Sequence, residues 1–169
     1  EVARWLAERG ARQIGLLARR QPTAAEQPRI AQIMEHGATI EILRGDVSQA
    51  ADVHAALAAL RRGGRPLAGV FHLAGVLDDA LIARQSPEKF ARVFAPKVAG
   101  TWNLHLATLD QPLDYFILFS SAAAAFGSAG QANHAAANAF LDAVAHYRRS
   151  RGLPGQTIKH RFKSPRAIN

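Results

Sequence analysis

The sequence has 169 residues, 49% of them hydrophobic and 20% charged, the balance of a soluble globular domain large enough to bury a core. It has no cysteine, which excludes disulfides and thiolate metal sites and suits a reducing compartment, so a cytoplasmic setting is expected. No apolar run approaches the roughly 20 residues of a membrane span, and the opening EVARWLAERG is charged and helical, unlike a signal peptide.

The net charge of +8 points toward nucleic acid until its distribution is read. Residues 148–169 hold seven Lys or Arg and no acid, which leaves fourteen basic against thirteen acidic residues, a net of +1, in residues 1–147. The basicity is that of a tail, read as a solvated charge run with no interleaved aromatic beyond Phe162, so nucleic-acid binding is not expected.

In chain order, residues 1–9 read as a helix stopped by Gly10, and QIGLLAR as a short apolar strand. AEQPRIAQIMEHG has helical spacing at Ile30, Ile33 and Met34 and ends at Gly37. ATIEILRGDV alternates as a strand does, and residues 51–61 form an alanine- and leucine-rich helix that runs out in the loop RRGGRP. AGVFHLAG is a buried strand with a glycine turn. Ser86 and Pro87 start a helix that runs toward Leu106 with a disturbance at Pro96. LDYFILFSS is the strongest strand, residues 131–150 form the longest helix with Ala137, Phe140, Leu141 and Val144 on one face, and GQTI opens a last strand. Strands alternating with helices predict an α/β fold with a parallel sheet covered by helices on both faces.

In such sheets ligands sit beyond the carboxyl ends of the strands, which singles out Arg19–Arg20, Gly45–Asp46–Val47, Ala74–Gly75 and Ser120–Ser121. Two arginines could receive a phosphate or be a solvated pair. Asp46 could accept from an adenine amine or cap the next helix with Ser48. Ala74 and Gly75 would let a flat ligand approach the backbone, or only permit a tight turn. Ser121, with His134 thirteen residues on, suggests a nucleophile and base. Yet a G-x-S-x-G nucleophile elbow has glycines two before and two after the serine, where Ser121 has Phe119 and Ala123, and its histidine comes late in the chain, whereas His134 lies close by.

The segments GDVSQAADV, GVFHLAGVLDDALI, FARVFAPKVAGTWNLH, DYFILFSSAAAAFGSAGQAN and AAANAFLDAVAHYRRSRGLPG together resemble the ketoreductase domain of modular type I polyketide synthases, a branch of the short-chain dehydrogenase/reductase superfamily. The resemblance covers residues 1–158 and implies a Rossmann-like fold. It further implies NADPH-dependent reduction of a β-ketoacyl group held on an acyl-carrier protein, among neighbouring synthase domains. It implies that Arg19 and Arg20 hold the 2′-phosphate of NADPH, that Asp46 and Val47 contact the adenine, and that Ala74 and Gly75 form the turn beside the nicotinamide ribose. Lys97, Ser121 and Asn138 match the catalytic lysine, serine and asparagine. Asp79 matches the aspartate marking the stereochemical class that gives the D-configured alcohol.

Three departures accompany the resemblance. His134 stands where the family has its catalytic tyrosine, so a shorter imidazole beside a lysine cation replaces the proton donor, and a disabled site is expected. The family's first strand and Gly-rich loop would precede Glu1, and their absence is expected to leave two half-sheets, weak NADPH binding and poor folding. From Lys159 the basic KHRFKSPRAIN departs from the family's asparagine-tryptophan-glycine continuation, as a change of reading frame would produce, so 159–169 is read as a divergent basic tail. The alternative role is a catalytically inactive structural module of a synthase.

Overall fold

The computed structural model describes residues 1–160. The chain divides into two compact units, Glu1–Arg65 and Pro66–Asn169. The first contains α1 (Val2–Glu8), β1 (Gln13–Ala18), α2 (Gln27–Met34), β2 (Thr39–Arg44) and α3 (Ala50–Arg61). The second contains β3 (Gly69–His72), a 3₁₀ turn (Ile82–Arg84), α4 (Pro87–Phe94), a π turn (Ala95–Ala99), α5 (Gly100–Ala107), β4 (Tyr115–Ser121), α6 (Ala123–Phe126), α7 (Ala132–Ser150) and β5 (Gln156–His160). All five expected strands are present, paired as a parallel β1–β2 sheet and a parallel β3–β4–β5 sheet.

In the first unit the period-two pattern sends alternate side chains to opposite faces. Ile14 and Leu16 pack with Ile40 against Ala7 of α1 and Ile33 of α2. Gly15, on the other face, lies under Leu60 of α3, so close that a Cβ there would stand 2.8 Å from both methyls. Helices thus cover both faces of this small sheet. Gly10 and Gly37, at φ 97° and 81°, end the first two helices as the sequence indicates.

In the second unit β4 is the central strand, with Phe116, Ile117 and Leu118 buried. The amphipathic face of α7 lies on β4 and β5 and buries Ala137, Leu141 and Val144. Phe140, expected on that face, is half-buried and lines an apolar groove with Phe94, Val98 and Trp102. Ser86 caps α4 by accepting from Lys89 N at 3.4 Å, and Pro87 takes the first helical position, where a missing N–H is harmless. The disturbance expected at Pro96 takes the form of the π turn, because proline has no N–H and its ring crowds the preceding turn.

The structure corrects the reading of residues 148–169 as one solvated charge run. Arg148 and Arg149 belong to α7, and Arg148 is fully buried with its guanidinium 3.8 Å from the centroid of the Phe116 ring. Its long stem and planar head fill the space a hydrophobic side chain would take. Lys159 lies in β5 and pairs with Asp142 at 2.6 Å. The remainder of the expected tail, 161–169, lies outside the described residues. Among the described residues no helix is long and apolar enough to cross a membrane.

Candidate active site

Lys97 is the centre of the second unit's polar cluster. The π turn carries it inward, where it is 2% exposed, and its Nζ donates to Phe119 O at 2.8 Å. That carbonyl lies one residue past Leu118, where the β3–β4 ladder stops. Burial pulls the Lys97 ammonium down to about 8. Gly75 packs against its stem: a Cβ at this position would stand 2.9 Å from Lys97 Cε. The glycine after β3 therefore leaves room for the lysine stem, whatever else approaches it.

Two buried histidines flank this cation. His72, the last residue of β3, lies 3.0 Å through Nε2 from Pro96 O, so a neutral ring carries its proton on Nε2. Burial, then the Lys97 charge, lowers its pKa to about 4 against the pull of that carbonyl. His134, on the first turn of α7, is 2% exposed. Burial and then Lys97 lower its pKa also, while the Asp79 carboxylate opposes them. The neutral imidazole is the favoured form of both.

Ser121 ends β4, and its Oγ accepts from Ala123 N at 3.2 Å, which opens α6. Since that oxygen accepts, its own proton is free to donate. Asn138 Nδ2 donates to His134 O at 2.7 Å, and Ser120 Oγ donates to Asn138 O at 3.3 Å. Asn138 Oδ1 is buried without a hydrogen-bond partner among the described residues, so it is an acceptor awaiting a donor. Asp79 accepts from Gln131 Nε2 at 2.9 Å. The structure thus gathers Gly75, Asp79, Lys97, Ser121, His134 and Asn138 around the end of β4 and the start of α7, with Ala74 adjoining.

Three members of this cluster escape motif reading. Asn133 donates to Asp78 O at 2.9 Å and Lys89 O at 3.4 Å, and its Oδ1 accepts from His134 N at 2.7 Å, tying a loop and α4 to the start of α7. Gln131 holds Asp79, and His72 holds the π turn. The signal for His72 was present as a lone polar side chain inside an apolar strand. Asn133 and Gln131, at a helix start, read only as polar surface.

Arg19, Arg20, Asp46 and Val47 belong to the first unit. Asp46 Oδ1 accepts from Ser48 N at 2.9 Å and Ser48 Oγ at 2.8 Å, which lowers its pKa, as does the charge of Arg19. Arg20 grips Glu26 with both arms of its fork, at 2.7 and 2.9 Å. Among the described residues no cluster of three or more His, Asp or Glu could hold a metal ion.

Comparison with known proteins accounts for this arrangement. The family model described as KR domain matches residues 1–162. The chain is 47% identical over 158 residues to polyketide synthase GfsB of Streptomyces halstedii, covering 93% of this chain and 3% of that protein. It is 40% identical over 158 residues to the highly reducing polyketide synthase VdtX of Byssochlamys spectabilis, covering 94% and 7%. Among solved structures, A-type ketoreductases from a modular polyketide synthase align with a TM-score of 0.88 at 40% identity, over 94% of this chain and 34% of that one. A ketoreductase domain from the bacillaene assembly line aligns with a TM-score of 0.87 at 34% identity, over 95% and 40%. The chain spans a small part of these synthases and about a third of the solved ketoreductase chains, and across that span it has their Rossmann-like α/β architecture. By sequence and by fold it belongs to the KR domain family, the ketoreductase domains of polyketide synthases.

Proposed function

We propose that this chain serves polyketide assembly by reducing the β-keto group of an acyl chain presented on an acyl-carrier protein, at the expense of NADPH and among neighbouring synthase domains. The observation that carries the reading is the Lys97 cluster: a buried lysine locked to the β4 backbone beside Ser121, His134 and Asn138. Each unit by itself offers groups that suit part of the cofactor: in the second, Asn138 Oδ1 is a buried acceptor, and in the first, Arg19 carries an exposed guanidinium. Arg19 and Arg20 would hold its 2′-phosphate, Asp46 and Val47 its adenine, and Ala74 and Gly75 its nicotinamide ribose. When bound, the nicotinamide supplies hydride to the carbonyl carbon.

The chain's own residues handle the oxygen. The free Ser121 hydroxyl proton donates to it as negative charge develops, and the Lys97 cation adds its field. Asp79, held by Gln131, is assigned to the approach that gives the D-configured alcohol. The weak step is the proton. His134 is the donor by position, yet the imidazolium, the competent acid, is the form that burial and Lys97 disfavour. This observation favours a second reading, a catalytically inactive ketoreductase-fold module that supports its neighbours.

NADPH oxidation with a small β-ketoacyl thioester, compared for the chain and its His134→Tyr variant, separates the readings. Turnover by both establishes imidazole as a working donor. Turnover by the tyrosine variant alone, by at least about a hundredfold, establishes the inactive module, since misplacing a catalytic group by about 1 Å has an effect of that order. If neither variant turns over or binds NADPH, the cofactor assignment is wrong.

A further inference from the structure

The loop that follows β1 is closed by charge. Glu26, immediately before α2, accepts from both arms of the Arg20 fork at 2.7 and 2.9 Å, and from Thr23 N at 2.8 Å and Thr23 Oγ1 at 3.0 Å. Arg20 also donates to Gln21 O at 3.2 Å. These donors hold the Glu26 carboxyl far below the usual carboxylate range, so it stays ionised at any working pH. Beside it, Arg19 is attracted to Asp46, an ionised carboxylate whose Oδ1 already accepts twice from Ser48. The edge therefore gathers two cations, Arg19 and Arg20, with three carboxylates, Glu26, Asp46 and Asp52, the last accepting from Asp46 N through Oδ2 at 2.7 Å. A guanidinium fork matches a phosphate because its paired N–H groups meet two oxygens, and the fork of Arg20 is already filled by a carboxylate of the same shape.

We propose that Glu26 is a specificity-determining residue: by occupying the Arg20 fork and cancelling its charge, it limits the preference of this edge for a 2′-phosphorylated adenine nucleotide over an unphosphorylated one. The proposal rests on the reading of this edge as the adenosine end of a nicotinamide-nucleotide site. Arg19 then reads the phosphate, and Arg20 joins only by leaving Glu26. Because the Arg20 and Glu26 side chains are 64% and 41% exposed, their pairing is a moderate restraint and not a block.

The test is binding of 2′,5′-ADP and of 5′-AMP to the 169-residue chain, followed by NMR titration, for wild type and Glu26→Gln. The amide keeps the shape of the side chain and removes its charge. The affinity ratio of 2′,5′-ADP to 5′-AMP should rise about fivefold in Glu26→Gln, the scale set by one exposed ion pair, with 5′-AMP binding unchanged. A wild-type measurement guards against a variant that folds badly: with the phosphate read by Arg19 alone, through one exposed ion pair, the ratio should fall by no more than about fivefold between 0.05 and 0.5 M salt. An unchanged ratio in Glu26→Gln, or a wild-type ratio that collapses with salt, overturns the role of Glu26 while leaving the nucleotide site standing. Failure of both nucleotides to bind the wild type overturns the site itself and the proposal with it.

Discussion

Arg148 is the most informative side chain for the stability of the second unit. It is fully buried, and no carboxylate among the described residues pairs with it. Its Nε donates to Pro154 O at 2.7 Å, one terminal nitrogen meets His105 Nδ1 at 3.0 Å, and its guanidinium lies 3.8 Å from the Phe116 ring centroid. The other terminal nitrogen is buried without a partner among the described residues. Hydrogen bonds from a charged donor contribute about 1.5–3 kcal/mol each. A desolvated cation–π contact adds about 2 kcal/mol. Desolvation of the cation opposes these by several kcal/mol. Arg148→Met keeps most of the volume and removes the charge, but strands Pro154 O and His105 Nδ1, at about 1–3 kcal/mol for each acceptor that water does not reach. We expect a net loss of about 2–3 kcal/mol, since Pro154 is only half-buried and part of its carbonyl's loss is made up by solvent. In urea, with a slope of about 2 kcal/mol/M, the midpoint should fall by about 1–1.5 M. Tryptophan fluorescence in a Trp5→Phe background isolates the second unit, because Trp102 lies 5.0 Å from the His105 ring. A midpoint that is unchanged or raised would refute the reasoning and show that desolvation outweighs every contact Arg148 makes.

Two further predictions follow from the same accounting of buried charge. With Arg148 against its Nδ1, His105 is neutral and carries its proton on Nε2; burial, then Arg148 and Arg151, hold its pKa below the usual 6.5. A depressed folded pKa means that the unfolded chain takes up the proton first. The His105 contribution to stability is thus complete above about pH 6.5 and lost as the pH falls through the folded value. Imidazole NMR titration should place that value below 6.5 in the wild type and raise it in Arg148→Met; an unmoved titration sinks the pairing. Gly75→Ala should cost only about 1 kcal/mol of stability, because the atom it strikes lies near the end of a flexible side chain. It should nevertheless break the Lys97–Phe119 contact and release the amine toward its ordinary pKa, which a lysine Cε titration centred well above 8 would reveal and one still near 8 would contradict.

Much of the fold could be read from the sequence because short parallel strands and amphipathic helices carry their own periodicity. Each expected strand is present, and Gly10, Gly37, Ser86 and Pro87 end or begin helices where their backbone preferences direct. Arg148 was misread because local charge says nothing about the aromatic ring and carbonyl that wait for it on distant elements. The short α6 was missed because AAAAF has no apolar period and is started by a serine hydroxyl that reads as a strand end. At the site, Lys97, Ser121, His134 and Asn138 were legible through their place in recognised segments, whereas Asn133 and Gln131 act through carbonyls and a carboxylate over forty residues away. The closing of the Arg20 fork by Glu26 depends on a loop bend that composition does not disclose.

The π turn at Ala95–Ala99 makes this site more sensitive to chain length than to composition. It accommodates one residue more than an α-helical turn, so Lys97 faces inward while α4 and α5 each keep their own packing phase. Removing a single residue there would restore α-helical spacing, still without the hydrogen bond that Pro96 cannot donate, and rotate everything beyond it by about 100° relative to what precedes. Either the lysine or the buried face of α5 would then point the wrong way. Side chains of this segment other than Lys97 can thus be exchanged at fixed length, whereas a one-codon deletion would turn either Lys97 or the buried face of α5 away from its partners.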